Sequence, residues 1–498
     1  KTHLLPKTIT DVNGLKREMT ETEKEIAWMK FWNDTVKKWY EQDKITEEDM
    51  YRLSYGGKEG LKEKADNYLA LDQSLTTIKQ PDFASGEIAN EELQQRLFNF
   101  VSEMFMDLDD TPEWEKIRIH SEITPCNDEV VIYPWQDFDG GKDFEGILAV
   151  HNGKTMLSEQ IGIFPDEWDN FIARLKAEGK YSAAEIAELE ALRNPANDAK
   201  KPNITDPDLI FQVRLWVSYR HQPLVRTIRG MMYNYDMYNF YARVNFPTPE
   251  SLGVSSEEDY DKKIEEKVNE KFEYIVGHQP FGDYIGKPAN SPEYSKVLDI
   301  VKILEMYSGT RTLKIAYIDQ NNGVANMITL DDFVRNNDGS YKLDGNGKLI
   351  INNATKKFIN LETHRSFYAQ GKPVNQNNIM KFSKGEDTGF KDMNQDDDYE
   401  QTPMQIGLSS RFDEDQDLII IGYPERIATD RATAVGTTHA FADRTFVTIT
   451  QRTLNWQGIR FHYGHPDLID TVALRNIGII EPPLVNEDIE GAYKATLY

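Results

Sequence analysis

Four short runs, LKIAYID, DLIIIGY, TFVTIT and GIRFHYG, constrain this 498-residue chain more than any other feature. Each is apolar or β-branched, and helical or polar segments separate them. That is the pattern of strands in an α/β sheet. A hydrophobic fraction of 39% with 11% aromatics is enough for one large core or two to three ordinary ones. Neither an internal repeat nor a low-complexity tract interrupts it.

The first part of the chain reads differently. From about Asp11 to Leu71 it is charged and helix-prone, and in EKEIAWMKFWNDTVKKWY the residues Ile26, Met29, Trp32, Val36 and Trp39 recur at helical spacing. Acidic residues in ETEKE precede Lys37 and Lys38, which complements a helix dipole. Residues 1–111 are therefore expected to form a helical, acidic N-terminal extension, and residues 112–498 a mixed α/β body.

Within the body, EWEKIRIHSE and DEVVIYPWQDF mix short β-prone runs with turn residues. PDEWDNFIARLKAEGKYSAAEIAELEALR reads as two helices broken at Gly179. The block SSEEDYDKKIEEKVNEKFEYI, Ser255 to Ile275, alternates charges at helical spacing and reads as an exposed helix, within a surface insertion over about 253–276. Asp-Gly and Asn-Gly signals between Asn336 and Leu361 predict small hairpins in a second surface insertion, about 336–361.

A formal net charge of -26 repels phosphate backbones and anionic headgroups, which argues against a nucleic-acid partner or a membrane-surface binder. Cys126 is the only cysteine, so an internal disulfide and a Cys-rich zinc site are excluded. No stretch approaches the roughly 18–20 apolar residues of a membrane span, and KTHLLPKTIT lacks the apolar core of a signal peptide. The chain itself reads as soluble and intracellular.

Motif searches narrow the chemistry. Asp392, Asn394 and Asp396 have the opening spacing of an EF-hand loop, but Asp397 stands where glycine is needed and Pro403 where a glutamate belongs. Phosphate-loop, dinucleotide-turn and nucleophile-elbow motifs are absent. In HYGHPD, His462, His465 and Asp467 could supply metal ligands, but Gly464 and Pro466 break the helix that zinc peptidases use, which leaves a structural or substrate-shaping role open. Trp216 and Tyr219 have the spacing of one helical face and read as core.

Six runs in one order resemble the central cytosolic region of fungal and plant 1,3-β-glucan (callose) synthases. They are RLWVSYRHQPLVRTIRGMM from Arg214, AYID ending at Asp319, QGKPVNQNN from Gln370, KDMNQDDDYE from Lys391, RFHYGHPDLID from Arg460 and VNEDIEGAYKA from Val485. IHSEI around Glu122 and FPDEWDNF around Trp168 match more weakly, so the resemblance spans roughly Pro112 to Tyr498.

The resemblance implies a glycosyltransferase-A-like mixed sheet flanked by helices, lying on the cytoplasmic side of the plasma membrane. It implies that UDP-glucose and a growing 1,3-β-glucan are the substrates. Inverting transfer needs a base that reaches the acceptor hydroxyl and a clamp for the leaving diphosphate. Asn486-Glu487-Asp488 resembles the family's acidic dyad, with Asp488 as the base and Glu487 orienting it or contacting the acceptor. The same pair could simply cap a helix.

Lys372, with Asn375, Gln376 and Asn377 beside it, suits a nucleotide sugar or is a polar loop. Asp392, Asn394 and Asp396 could hold a divalent cation such as Mg, with Asp392 and Asp396 as its ligands, or contact sugar or uridine, or form a solvated acidic turn. Glu122 and Asp319 are donor-site candidates, Arg226 and Arg229 diphosphate or glucan contacts, and Arg460, His462, His465 and Asp467 complete the substrate-binding set that the resemblance implies.

The match breaks after HYGHPD. There the family has a Thr-Arg-Gly-Gly run and lysines, whereas this chain has ALRNIGIIEPPL, which keeps Arg475 and Gly478. A catalytically degenerate homologue acting as a structural or binding subunit is the alternative. Neither of the family's membrane-helix groups lies in these residues, so membrane-embedded subunits or transmembrane segments elsewhere in a longer protein are expected partners, as is a regulatory small GTPase.

Overall fold

Helix formation begins where the sequence supplies its own cap. The Thr20 hydroxyl accepts from the Glu23 backbone N–H, and the Glu23 carboxylate accepts from that of Thr20, closing a capping box at the start of α1 (Glu21–Glu41). The stripe Ile26, Met29, Trp32, Val36 and Trp39 is buried, as its spacing predicts. The computed structural model describes residues 4–62, 78–104, 110–133, 154–310, 312–319, 324–352, 357–360, 379–380, 382–393, 395–414, 420–423, 438, 441 and 470–474.

Before α1 runs a small antiparallel hairpin of β1 (Thr8–Thr10) and β2 (Lys16–Glu18). After it come α2 (Glu47–Leu53), α3 (Gly57–Lys62) and α4 (Glu91–Glu103). The body then alternates strand and helix. Strand β3 (His120–Cys126) precedes α5 (Met156–Ile163), α6 (Pro165–Glu178) and α7 (Ala183–Ala191). Gly179 lies between α6 and α7 with φ 65°, a backbone that only glycine adopts without strain, and the predicted break falls there.

Two apolar helices follow, α8 (Pro207–Ser218) and the 22-residue α9 (Leu224–Asn245). Phe31, Trp39, Leu93 and Phe100 from the N-terminal helices share one apolar cluster with Ile228, Met231 and Phe240 of α9. Trp216 is buried, and Tyr219 is half-buried against the core.

The charged block does form a helix, α10 (Glu257–Lys271), with Lys262 and Glu258 paired one turn apart at 2.7 Å. It stops four residues short of the predicted end. Phe272–His278 is strand β4, buried along its whole length, so the expectation of an exposed helix reaching Ile275 and of a surface insertion over 253–276 fails there. Side chains of β4 alternate between two cores: Phe272, Tyr274 and Val276 face the large cluster, and Ile275 faces a second with Ile123 and Ala316. Such a strand has no polar face to announce it.

Helices α11 (Phe281–Tyr284) and α12 (Pro292–Met306) lead to β5 (Leu313–Asp319), the predicted LKIAYID strand, and β6 (Val324–Ile328). The predicted hairpins are present as paired segments, Arg335 opposite Tyr341 and Leu343 opposite Leu349, turning at Gly339 and Gly347. The end of that predicted insertion is instead part of the sheet, as strand β7 (Lys357–Asn360). Strand β8 (Asp387–Phe390), helix α13 (Thr402–Glu414), β9 (Ile420–Tyr423, from DLIIIGY) and β10 (Asp470–Leu474) complete the described elements. TFVTIT and GIRFHYG lie outside the described residues.

The strands form one mixed sheet in the order β7-β6-β5-β4-β3-β8-β10-β9. Its centre, β5-β4-β3-β8, is parallel, and the pairs on either side are antiparallel. A mixed sheet flanked by helices, with a helical N-terminus, is the expected α/β class and is consistent with a glycosyltransferase-A-like fold. Among the described residues, no helix is long and apolar enough to cross a membrane.

Candidate functional site at the strand ends

The four parallel strands end on the same side of the sheet, at Cys126, His278, Asp319 and Phe390, and loops leaving such ends are where α/β sheets assemble ligand sites. Asp319 is described only as the last residue of β5. His278 is fully buried, and burial lowers its pKa to about 4, so the ring is neutral.

Glu122 lies in the middle of β3 with no exposed surface. Its Oε1 faces Nε2 of His120 at 2.8 Å and accepts from Gln405 of α13, while its Oε2 has no hydrogen-bond partner among the described residues. His120 also bonds to Asp387 through Nδ1. Burial alone would discharge this imidazole, but the carboxylates of Glu122 and Asp387 outweigh it and raise its pKa to about 10. Gly389 on the neighbouring strand makes room for Glu122, since a Cβ there would lie 2.7 Å from the carboxyl carbon.

Beyond β8 the chain enters the acidic run. Asp392 accepts the Gln395 N–H on its carbonyl at 3.0 Å, while the Gln395 side chain accepts the Asp392 N–H at 2.9 Å, making a tight turn. The Thr227 hydroxyl of α9 donates to the Met393 carbonyl at 2.8 Å and pins that turn to the helix. Arg226 and Arg229 then converge on one oxygen of Asp396, Arg226 Nε at 3.2 Å, and the Arg229 guanidinium lies over the Tyr219 ring at 4.2 Å. Lys391 pairs with Asp397 at 3.0 Å; against the upward pull of burial, His120 first and the Lys391 charge second hold the Glu122 carboxyl below the usual carboxylate range.

The structure therefore brings together Arg226, Arg229 and Asp396, with Asp392 in the same loop, while Glu122 stays buried in β3 with His120 and Gln405 and feels Lys391 only as a nearby charge. Sequence reasoning did not single out His120, Lys391, Asp397 or Gln405. His120 and Lys391 stand inside runs that carried the resemblance, so a signal was present. Lys372, Asn375, Asn377, Asn394, Arg460, His462, His465, Asp467, Glu487 and Asp488 lie outside the described residues.

The cations of this neighbourhood, Arg226, Arg229 and Lys391, already face carboxylates. A divalent ion is a poor fit to Asp392 and Asp396 here. Asp396 is already held by two guanidiniums, and no group of three or more potential ligands occurs among the described residues.

The fold is a mixed α/β sheet whose parallel centre borders an acidic loop held by two arginines, and comparison with known proteins places it. A family model described as 1,3-beta-glucan synthase component matches residues 88–481. Callose synthase 7 of Arabidopsis thaliana is 30% identical over 424 residues, covering 82% of this chain and 20% of the relative. Callose synthase 3 and callose synthase 5 of the same plant are 28% identical over 450 residues and 27% identical over 456. They cover 82% and 85% of this chain, and 20% and 21% of their own lengths. The chain belongs to the 1,3-β-glucan synthase component family, and it spans about a fifth of the length of the curated relatives it matches.

Proposed function

We propose that this chain is the sugar-transferring region of a 1,3-β-glucan synthase, moving glucose from UDP-glucose to a glucan acceptor with inversion. The observation that carries the reading is the family match over residues 88–481, which takes in the whole described sheet and the loops at its strand ends.

In this reading Asp488 takes the acceptor proton, and Glu487 orients it. The hydroxyl attacks the anomeric carbon as UDP leaves from the opposite face. Lys372, Asn375 and Asn377 receive the nucleotide sugar, Lys372 with the local positive charge that an acidic chain needs for a dianionic donor and the asparagines with amide hydrogen bonds. Asp319, Asp392 and Asn394 contact sugar or uridine. Glu122, the remaining donor-site candidate, is buried in β3 against His120 and Gln405 and supports the site from within the sheet. The site works at the cytoplasmic face of the plasma membrane, with membrane helices from a longer protein or from partner subunits and with a small GTPase as regulator.

The test is UDP release from UDP-glucose in the presence of a gluco-oligosaccharide acceptor. Asp488→Asn should lower the rate by about 100-fold or more, the usual worth of a general base. Release that is unchanged in this variant would remove Asp488 from the mechanism.

One observation favours a second reading. Arg226 and Arg229 are both committed to Asp396, and the family's lysines are missing from ALRNIGIIEPPL. A degenerate homologue that serves as a binding or structural subunit would bind glucan without releasing UDP.

A further inference from the structure

Between α1 to α3 on one side and α6 and α8 on the other lies a cavity of about 660 Å³. Small-molecule sites occupy about 300–1,000 Å³. Five ring-bearing residues take part in the walls: Tyr40 and Tyr51 from the N-terminal helices and Tyr219 at the end of α8 are half-buried and keep exposed surface, while Phe171 of α6 and Trp216 of α8 are buried behind them. Flat apolar rings with polar rims suit a ligand that is apolar on its faces and polar at its edge, as a pyranose is.

The charged lining is balanced. Lys37, Lys58 and Arg174 stand against Glu41, Asp43 and Glu178, a formal sum of zero in a chain of net charge -26. The pairs are partly made already: Arg174 bonds Asp43 at 3.1 Å and Glu178 at 3.0 Å, and Lys37 lies 3.9 Å from Glu41. Such a lining offers no surplus cation for a phosphate and no surplus acid for a metal ion. It does offer donors and acceptors side by side, which is what hydroxyl groups need because each both donates and accepts.

Asp43 adds a backbone observation. It is the one non-glycine among the described residues with positive φ, at 61°, and its buried carboxylate is held by Arg174 and lies 3.8 Å from Arg220. That φ belongs to the left-handed cap that closes α1, where the Asp43 N–H bonds the Tyr40 carbonyl and the Lys44 N–H bonds the Trp39 carbonyl, both at 2.9 Å, and the cap places Asp43 in the cavity wall.

We propose that this cavity binds a short neutral gluco-oligosaccharide, the product class of the transfer described above. The choice of glucose as the sugar rests on that reading. The balanced lining is what separates the cavity from the donor site, which must receive a dianion. Tyr219 links the two: its ring is part of the cavity wall and also carries the Arg229 guanidinium, which pairs with Asp396.

The experiment is a calorimetric titration of the full chain with laminaritriose. Saturable binding is expected, with a component that Tyr51→Ala and Glu178→Gln each weaken about tenfold or more, apart from any component due to the acceptor site of the transfer. Glu178 is exposed, so its variant keeps the fold if Tyr51→Ala does not. No saturation by about 10 mM, or equal binding in parent and both variants, overturns the proposal. UDP-glucose titrated into the same samples separates the two readings. Donor binding without laminaritriose binding removes the cavity proposal alone, whereas variant-sensitive laminaritriose binding without donor binding keeps the cavity and counts against the transferase.

Discussion

Arg96 and Glu400 lie 304 positions apart in sequence and meet as a two-pronged buried pair, Nε to Oε1 at 3.1 Å and Nη2 to Oε2 at 3.0 Å. The pair fastens α4 to the segment that follows the acidic loop, and Trp39 of α1 donates to the same carboxylate at 3.4 Å. Asp398 adds a second carboxyl group to Arg96 at 3.0 Å, its pKa pushed up to about 8 by burial. The helical N-terminus is thereby tied to the loop of the candidate site.

Removing one partner of such a pair leaves a charge buried and uncompensated. Because Asp398 still faces Arg96, Glu400→Ala should lower unfolding stability by about 3 kcal/mol, and the double variant Arg96→Met with Glu400→Leu should recover part of the loss, Asp398 being left without its cation. Urea unfolding of the three proteins checks this. A double variant no better than Glu400→Ala would mean that the pair contributes more than its desolvation costs.

Gly230 of α9 is where the helix touches the acidic loop most closely. A Cβ there would lie 2.6 Å from Oδ1 of Asp396 and nearer still to the Asp397 backbone nitrogen. Gly230→Ala should therefore cost about 1–3 kcal/mol by overpacking and speed hydrogen exchange at the Asp396 and Asp397 amides. Gly162, also helical, would place an added methyl with nothing within 4 Å of it, so Gly162→Ala should instead stabilise by roughly 0.4–1 kcal/mol.

The pH dependence follows from His120. Its pKa is raised from 6.5 to about 10 in the folded chain, so its contribution is fully present below about 6.5 and is lost as pH rises through about 10. The groups that face it are Glu122 and Asp387, with Gln405 alongside, and Arg118 bonds Asp387 at 3.1 Å. The difference in melting temperature between the parent and His120→Gln should narrow steadily from about pH 6 to about pH 10. A constant difference would place the proton elsewhere in the network.

Periodicity makes some of this legible and long-range pairing hides the rest. The helical stripe from Ile26 to Trp39, the break at Gly179 and the strand LKIAYID each carry their cause within a few residues. Strand β3, HSEITPC, does not. It is buried at all seven positions although His120, Ser121 and Glu122 are polar, because their partners Asp387, Glu273 and Gln405 come from far along the chain. Strand β4 reads as helix for a related reason: Glu273 continues the charge pattern of α10, and Lys314, Ser121 and the Lys384 backbone N–H, all distant in sequence, make its burial tolerable. In the candidate site, the types of Arg226, Arg229 and Asp396 are legible, but their mutual pairing is not. That pairing depends on the loop after β8 folding back onto α9.

The central claim is that the chain holds a site for a nucleotide sugar, and calorimetric titration with UDP-glucose tests it most directly. The account predicts saturable binding that is lost when Lys372→Ala and Asp392→Ala are combined. No saturation at about 10 mM donor, or undiminished binding in the double variant, would contradict it.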